Sequence, residues 1–170
     1  VRSIAGTFAW VTSPYLLRRL KRDLEAAGVT GAPPIPSISE TKRAKITDPS
    51  ALRAGAQVVL EDLDFDPSPD PQAQAWADLI ANAALAADWR AFFVARFLVV
   101  HDDMMRYLSV HAIDVTSRNR LDNDTKTVAD GALWTEENLP TETILVSYAH
   151  LAPNAGTLDE PGLRAELDKL

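Results

Sequence analysis

Residues Phe92 to Val100 read Phe-Phe-Val-Ala-Arg-Phe-Leu-Val-Val, an almost unbroken apolar run. A strand with one wet face alternates apolar and polar side chains, so this run predicts a central strand in the core. Its flanks supply helices. Upstream, Trp76, Leu79, Ile80 and Ala83 recur at i, i+3, i+4 and i+7, the signature of one packed helical face. Downstream, Asp102 or Asp103 is placed to cap a short helix that carries Met105 and Leu108. The chain is therefore expected to be α+β.

The N-terminal part adds a strand and a helix. Val1 to Val11 mixes β-branched and aromatic residues, and Ser13-Pro14 then offers an N-cap followed by proline at the first helical position. Leu16, Leu17, Leu20 and Leu24 fall on one helical face, with Arg18, Arg19, Lys21 and Arg22 largely on the other, and Gly28 closes the segment. Residues 29–55 contain Pro33, Pro34, Pro36 and Pro49 with Gly31 and Gly55, which predicts a long loop. Loops of that length in a compact domain are usually functional or disordered, so Lys42, Arg43 and Lys45 become candidate binding residues. Gln57 to Phe65 reads as one further strand, ended by Asp66 to Pro71.

Beyond the central strand the period changes to two. Ile113, Val115, Ser117, Asn119 and Leu121 fall on one side, and Asp114, Thr116, Arg118 and Arg120 on the other. Asp122 to Thr125 has turn chemistry and Lys126 to Leu133 returns, so a hairpin is expected within 113–140. A last strand is expected over Thr143 to His150, followed by a polar tail over 153–170.

Composition removes several classes of function. At 170 residues the length suits one domain, and 46% hydrophobic with 24% charged residues is globular. No apolar run approaches the roughly 18 residues of a membrane span. There is no cysteine, hence no disulfide, thiol nucleophile or thiolate metal site. The first residue, Val1, already opens a strand, so an upstream part is expected to be missing, and the chain's residues do not themselves open on a basic-apolar leader pattern. The net charge of −7 conceals an asymmetry: residues 1–53 hold nine Lys or Arg against four Asp or Glu, a net of +5, and residues 54–170 hold eight against twenty, a net of −12. A basic region beside an acidic remainder suits local nucleic-acid contact, and equally suits docking between unlike faces of identical subunits.

Isolated catalytic sets are weak. Asp62, Asp64 and Asp66 alternate along a predicted strand and share one face, which Mg²⁺ could use, although acidic strand edges are usually solvated. His101 beside Asp102 and Asp103 fits helix capping better than a ligand set, and His111 and His150 lack a partner at ligand spacing. Trp10, Trp76, Trp89 and Trp134 lie inside predicted elements and are expected in the core.

The richest stretch is Val115-Thr-Ser-Arg-Asn-Arg-Leu-Asp122, then a turn, then Asp130-Gly-Ala-Leu-Trp-Thr-Glu-Glu-Asn-Leu-Pro140. It resembles the C-terminal region of the RAMP backbone subunits of Cmr (type III-B) CRISPR effector complexes, which runs Arg-x-Arg-Ile-Asp, turn, Gly-Ala-Leu-Trp, an acidic pair, an aromatic, Leu-Pro. Val1-Arg-Ser-x-x-Gly-Thr-Phe-Ala-Trp-Val-Thr12 and Val59-Leu-Glu-Asp-Leu-Asp-Phe65 are similar to other parts of the same subunits, in the same order. The resemblance implies a single partial RAMP domain over 1–170, RRM-like or ferredoxin-like, with a β-hairpin thumb inserted at 113–140. It implies a cytoplasmic prokaryotic protein that binds guide RNA and target RNA, assembles with copies of itself and other RAMP subunits, and shares in target RNA cleavage during antiviral defence. Arg118, Arg120 and Lys126 would then contact phosphates, with Lys42, Arg43 and Lys45 on a mobile loop. The family is a metal-dependent endoribonuclease, using Mg²⁺ or another divalent cation in the complete subunit. Its main catalytic acid lies in an N-terminal loop outside this chain. Supporting positions map to Glu136 and to Asn138, where an aromatic is usual. Without the family, a scaffold that uses its acidic and basic faces for head-to-tail assembly explains the charges equally well.

Overall fold

A computed structural model describes residues 1, 3, 8–121 and 127–147, with the side chains at 129 and 130 excepted. The elements run β1 (Trp10–Thr12), α1 (Pro14–Ala26), β2 (Arg43–Ile46), β3 (Arg53–Ala54), β4 (Gln57–Leu60) and β5 (Leu63–Pro69). They continue with α2 (Pro71–Ala84), α3 (Ala87–Val94), β6 (Phe97–Val100), α4 (Asp102–His111), β7 (Asp114–Leu121) and β8 (Val128–Asn138). Strands β1 to β6 form one sheet in the order β1-β6-β2-β5-β4-β3, while β7 and β8 form a separate two-stranded sheet.

The apolar run from Phe92 to Val100 divides in two. Phe92, Phe93 and Val94 belong to the end of α3, and only Phe97–Val100 is strand. No Gly or Pro separates the two, so hydrophobicity ran on across the helix-to-strand turn at Ala95-Arg96. β6 lies between β1 and β2, and all four of its residues are buried. Phe97 and Val99 pack with Leu17, Trp76 and Phe93 from the helices. Leu98 and Val100 pack on the other side with Ile46, Val58, Phe65 and Leu108. Burial on both faces is the reason for four consecutive apolar residues.

The segment expected to be a loop over 29–55 contains β2. Ala44 and Ile46 have no accessible surface, so their period-two burial draws the chain into the sheet despite nearby prolines. β2 pairs parallel to β5 and antiparallel to β6. The single strand expected over Gln57 to Phe65 is a tight hairpin, β4 to β5, which turns at Glu61 with φ 52. Pro67 and Pro69 fit within β5 because the Asp66 and Asp70 N–H groups donate to the carbonyls of Lys42, just before β2, and Ile46, in β2, leaving the proline nitrogens on the side where β4 has ended.

Helix α1 starts as expected, with the Ser13 hydroxyl accepting from the Leu16 N–H at 3.5 Å. Helix α4 is capped by neither aspartate: His101 is the N-cap, and its Nδ1 accepts from the Asp103 N–H at 3.2 Å. Residues 143–147 form no strand, and 148–150 lie outside the described residues, as does the 153–170 tail. Among the described residues no helix is long and apolar enough to cross a membrane.

Candidate nucleic-acid interface

Among the described residues, the β7–β8 ribbon is largely exposed. All eight residues of β7 are exposed, so neither face of that strand is packed on the domain. Its register is Asp114 opposite Asn138, Thr116 opposite Glu136, and Arg118 opposite Trp134. Directly opposed residues of an antiparallel pair share a face, so these six line one side of the ribbon. The other side carries Val115, Ser117 and Asn119 opposite Glu137, Thr135 and Leu133. Leu121, Val128 and Leu133 leave an exposed apolar patch toward the far end.

The strands fall out of step near Arg120. Asn119 pairs with Leu133 and Leu121 with Val128, so one residue on β7 stands against four on β8. Gly131 takes φ 66 inside that irregularity, a left-handed conformation that glycine adopts without strain. Arg120, exposed on β7, sits at this bulge.

One carboxylate organises the first face. Glu136 accepts from Trp134 Nε1 at 3.0 Å through Oε1 and from Arg118 Nε at 3.2 Å through Oε2. The Trp134 N–H first, and then the Arg118 guanidinium, hold the Glu136 carboxyl below its ordinary value, so it is ionised at neutral pH. Trp134 is 45% exposed and not a core residue as its sequence setting suggested. Its parity with Glu136 and Asn138 was the available signal, because it places the indole on the polar side of the strand. Trp89 is likewise exposed, whereas Trp76 is fully buried and donates to the Pro34 carbonyl at 3.0 Å.

The other predicted cations are engaged within the fold. Lys42 Nζ lies 3.3 Å from Asp64, whose carboxyl Lys42 holds below its ordinary value. Arg43 lies 3.7 Å from Glu40. Lys45 donates to Ser68 at 3.2 Å and lies 3.7 Å from Asp70, the N-cap of α2. Arg43 and Lys45 are thus strand residues rather than parts of a mobile loop, and Lys42 directly precedes that strand. Lys126 and the Asp122 to Thr125 turn lie outside the described residues.

Among the described residues no group of three or more His, Asp or Glu stands together as a metal would need. Asp62 sits in the β4–β5 turn, away from the shared strand face expected for it, and His111 stacks on Tyr107 with centroids 4.2 Å apart. An apolar cleft of about 480 Å³ lies between β1, α1, α4 and residues 139–146; Leu20, Phe97 and Met105 are among its lining.

Fold and ribbon together define an α+β domain from which a two-stranded, solvent-exposed cationic and aromatic arm extends. No family model matches the chain. Among curated proteins it is 30% identical over 178 residues to CRISPR system Cmr endoribonuclease Cmr4 of Pyrococcus furiosus, across 100% of this chain and 57% of that protein. Oligomeric Cmr4 from Pyrococcus furiosus, a crystal structure, matches with a TM-score of 0.58 at 28% identity, over 67% of this chain and 44% of that one. A type III-B Cmr-beta assembly bound to cognate target RNA shares the fold with a TM-score of 0.50 at 20% identity, over 78% of this chain and 44% of that one. The chain is a homologue of Cmr4 of the type III-B Cmr complex, and it spans little more than half the length of that relative.

Proposed function

We propose that this chain is part of an RNA-binding backbone subunit of a type III-B CRISPR effector complex, in which the β7–β8 ribbon is the thumb. The observation that carries the reading is the 30% identity to Cmr4 across the whole chain, joined to an unpacked ribbon with Arg118 and Arg120 on it. At about 3.4 Å per residue, eight residues of β7 extend roughly 27 Å, enough to reach across a nucleic-acid backbone. Guide RNA and its paired target RNA are the ligands, and copies of the subunit assemble along them in the prokaryotic cytoplasm. The oligomer named for the crystalline relative and the target RNA named for the Cmr-beta assembly support those two partners.

An RRM-like plan for the palm is part of the proposal. The order β6-β2-β5-β4 supports it, with β2 parallel to β5, antiparallel to β6, and α2 and α3 joining β5 to β6. The departure is the link from β2 to β4, where that plan has a helix and this chain has the short strand β3. Target RNA cleavage, the activity named for Cmr4, belongs in this proposal to the complete subunit. Glu136 on the ribbon is the supporting group in this reading, whereas Asn138 stands where the family has an aromatic and does not take over its role. The family resemblance implies a divalent cation, and among the described residues no group of three or more His, Cys, Asp or Glu stands together to hold one.

A scaffold without RNA is the second reading, favoured by the exposed Leu121, Val128 and Leu133 on the opposite face of the ribbon. Binding of a guide-length single-stranded RNA to the intact protein across a salt series separates the two. Each phosphate contact on single-stranded RNA contributes about 0.7 to the slope of log affinity against log salt. Arg118→Ala with Arg120→Ala is expected to weaken binding and to flatten that slope by about 1.4. Unchanged binding in the double variant, or none in the wild type, removes RNA from this face.

A further inference from the structure

We infer that Trp10 is a positioning residue for the β7–β8 ribbon: its indole N–H holds the strap of residues 139–146, and the strap sets the angle at which the ribbon leaves the domain. The placement of the ribbon follows from geometry alone, and only its consequence for RNA rests on the reading above. β7 is exposed along its whole length, so packing along its flanks does not fix its direction. Direction is set at the two roots. β7 rises from Ala112 and Ile113, directly after α4, and β8 runs from Asn138 into Leu139-Pro140 and the strap. Both roots line the apolar cleft beside β1, α1 and α4.

The strap lies largely in solvent. Of residues 141–146, Ile144 alone is partly buried, packed with the cluster that holds Trp76 and Phe93. One half-buried side chain leaves a segment of this length free to swing, so a second tie decides its position. That tie is Trp10 Nε1, which donates to the Glu142 carbonyl at 3.0 Å across 132 positions of chain. Glu142 holds φ 65, a left-handed conformation that is unfavourable for a residue other than glycine and persists where its surroundings enforce it. The Thr143 hydroxyl closes the same turn by donating to the Pro140 carbonyl at 2.6 Å. The strained residue is thus the one whose carbonyl the indole holds. Trp10 itself is a rigid post. Its backbone is paired with Phe97 in the sheet, and its ring sits 4.7 Å from Phe8, 4.8 Å from Phe93 and 5.9 Å from Phe92. The indole therefore does not follow the strap, and the strap is held to it. Length amplifies any slack at the root: on a strand of roughly 27 Å, a tilt of about 15° carries the far end, and Arg120 near it, about 7 Å.

The test is a distance measured by pulsed electron paramagnetic resonance on the intact protein. This chain has no cysteine, so spin labels at Asn119→Cys on β7 and Ala83→Cys on α2, both exposed positions, report the angle of the ribbon to the domain. With Trp10 present the distance distribution is expected to be single and narrow. Trp10→Phe, which keeps an aromatic ring among its neighbours but lacks the donor, is expected to broaden it or shift it by about 5 Å or more. 3-Benzothienylalanine at position 10, which keeps the bicyclic shape of the indole without its N–H, is expected to do the same. Trp89→Phe removes an indole N–H from the same aromatic cluster and is expected to leave the distribution unchanged. A distribution that keeps its wild-type centre and width with the N–H-free isostere overturns the inference, as does one that is already broad in the wild type. RNA affinity of the same variants tests the earlier reading separately. A displaced ribbon with unaltered RNA affinity leaves Trp10 as the positioning residue and contradicts RNA binding by the ribbon alone.

Discussion

Asp102 joins the starts of two helices. On α4, its Oδ1 accepts from the Tyr15 N–H of α1 at 2.7 Å and its Oδ2 from Arg18 Nη2 at 3.0 Å. Partial burial acts to raise its pKa, but the Tyr15 N–H, the Ser13 hydroxyl and the Arg18 guanidinium together hold the carboxyl below its ordinary 3.8. A carboxyl depressed in the folded state stabilises the fold above its unfolded pKa, and that contribution is lost as pH falls through the folded value. Asp102→Asn is thus expected to lower the urea midpoint at pH 7, and the gap between variant and wild type should narrow below about pH 4. A gap that stays constant across that range contradicts the assignment. Asp102 was legible in the sequence as a helix-start carboxylate, but the helix it serves was not, because the contact spans 87 positions and spacing carries no trace of it. Trp134 is the opposite case: strand parity already placed it with Glu136 and Asn138, and only the habit of assigning tryptophan to the core put it elsewhere.

At the scale of elements, α1, α2 and the β7–β8 ribbon were legible because each has a strong period and clear punctuation. Ser13-Pro14 marked the start of α1, the spacing of Trp76, Leu79, Ile80 and Ala83 marked α2, and the alternation from Ile113 onward marked the strand. β2 was hidden by its length of four residues and by prolines on either side, although Ala44 and Ile46 already showed the alternation that buries it. The β4–β5 turn was hidden for another reason, since Glu61 at positive φ carries none of the glycine or asparagine chemistry that announces a tight turn. The exposure of β7 has a measurable consequence. Replacing residues 115–137 with a short Gly-Ser turn removes no described residue that the two core clusters use, so the thermal midpoint is expected to stay within about 5 °C of wild type while RNA affinity falls. Loss of the cooperative transition would mean that the ribbon is part of the core after all.

At the scale of the whole molecule, the charge asymmetry takes on a different meaning once side chains are placed. The excess of nine cations over four anions in residues 1–53 suggested a binding face, yet Arg18, Arg22, Lys42, Arg43 and Lys45 each lie within 4 Å of an internal carboxylate. The ribbon, in the acidic part of the chain, holds Arg118 and Arg120 on a strand whose eight residues are all exposed, and its Arg118–Glu136 pair, like those of Arg18, Arg22, Lys42 and Arg43, is solvent-exposed and weak. Position in the fold, which net charge cannot report, thus favours the ribbon over the basic stretch. The most direct measurement of that claim is ultraviolet crosslinking of the intact protein to a guide-length RNA, with the attached peptides identified by mass spectrometry. Adducts concentrated on the peptides that span Asp114 to Asn138 are the result this account predicts. Adducts confined to the α1 and β2 cations, with the ribbon unmarked, would contradict it.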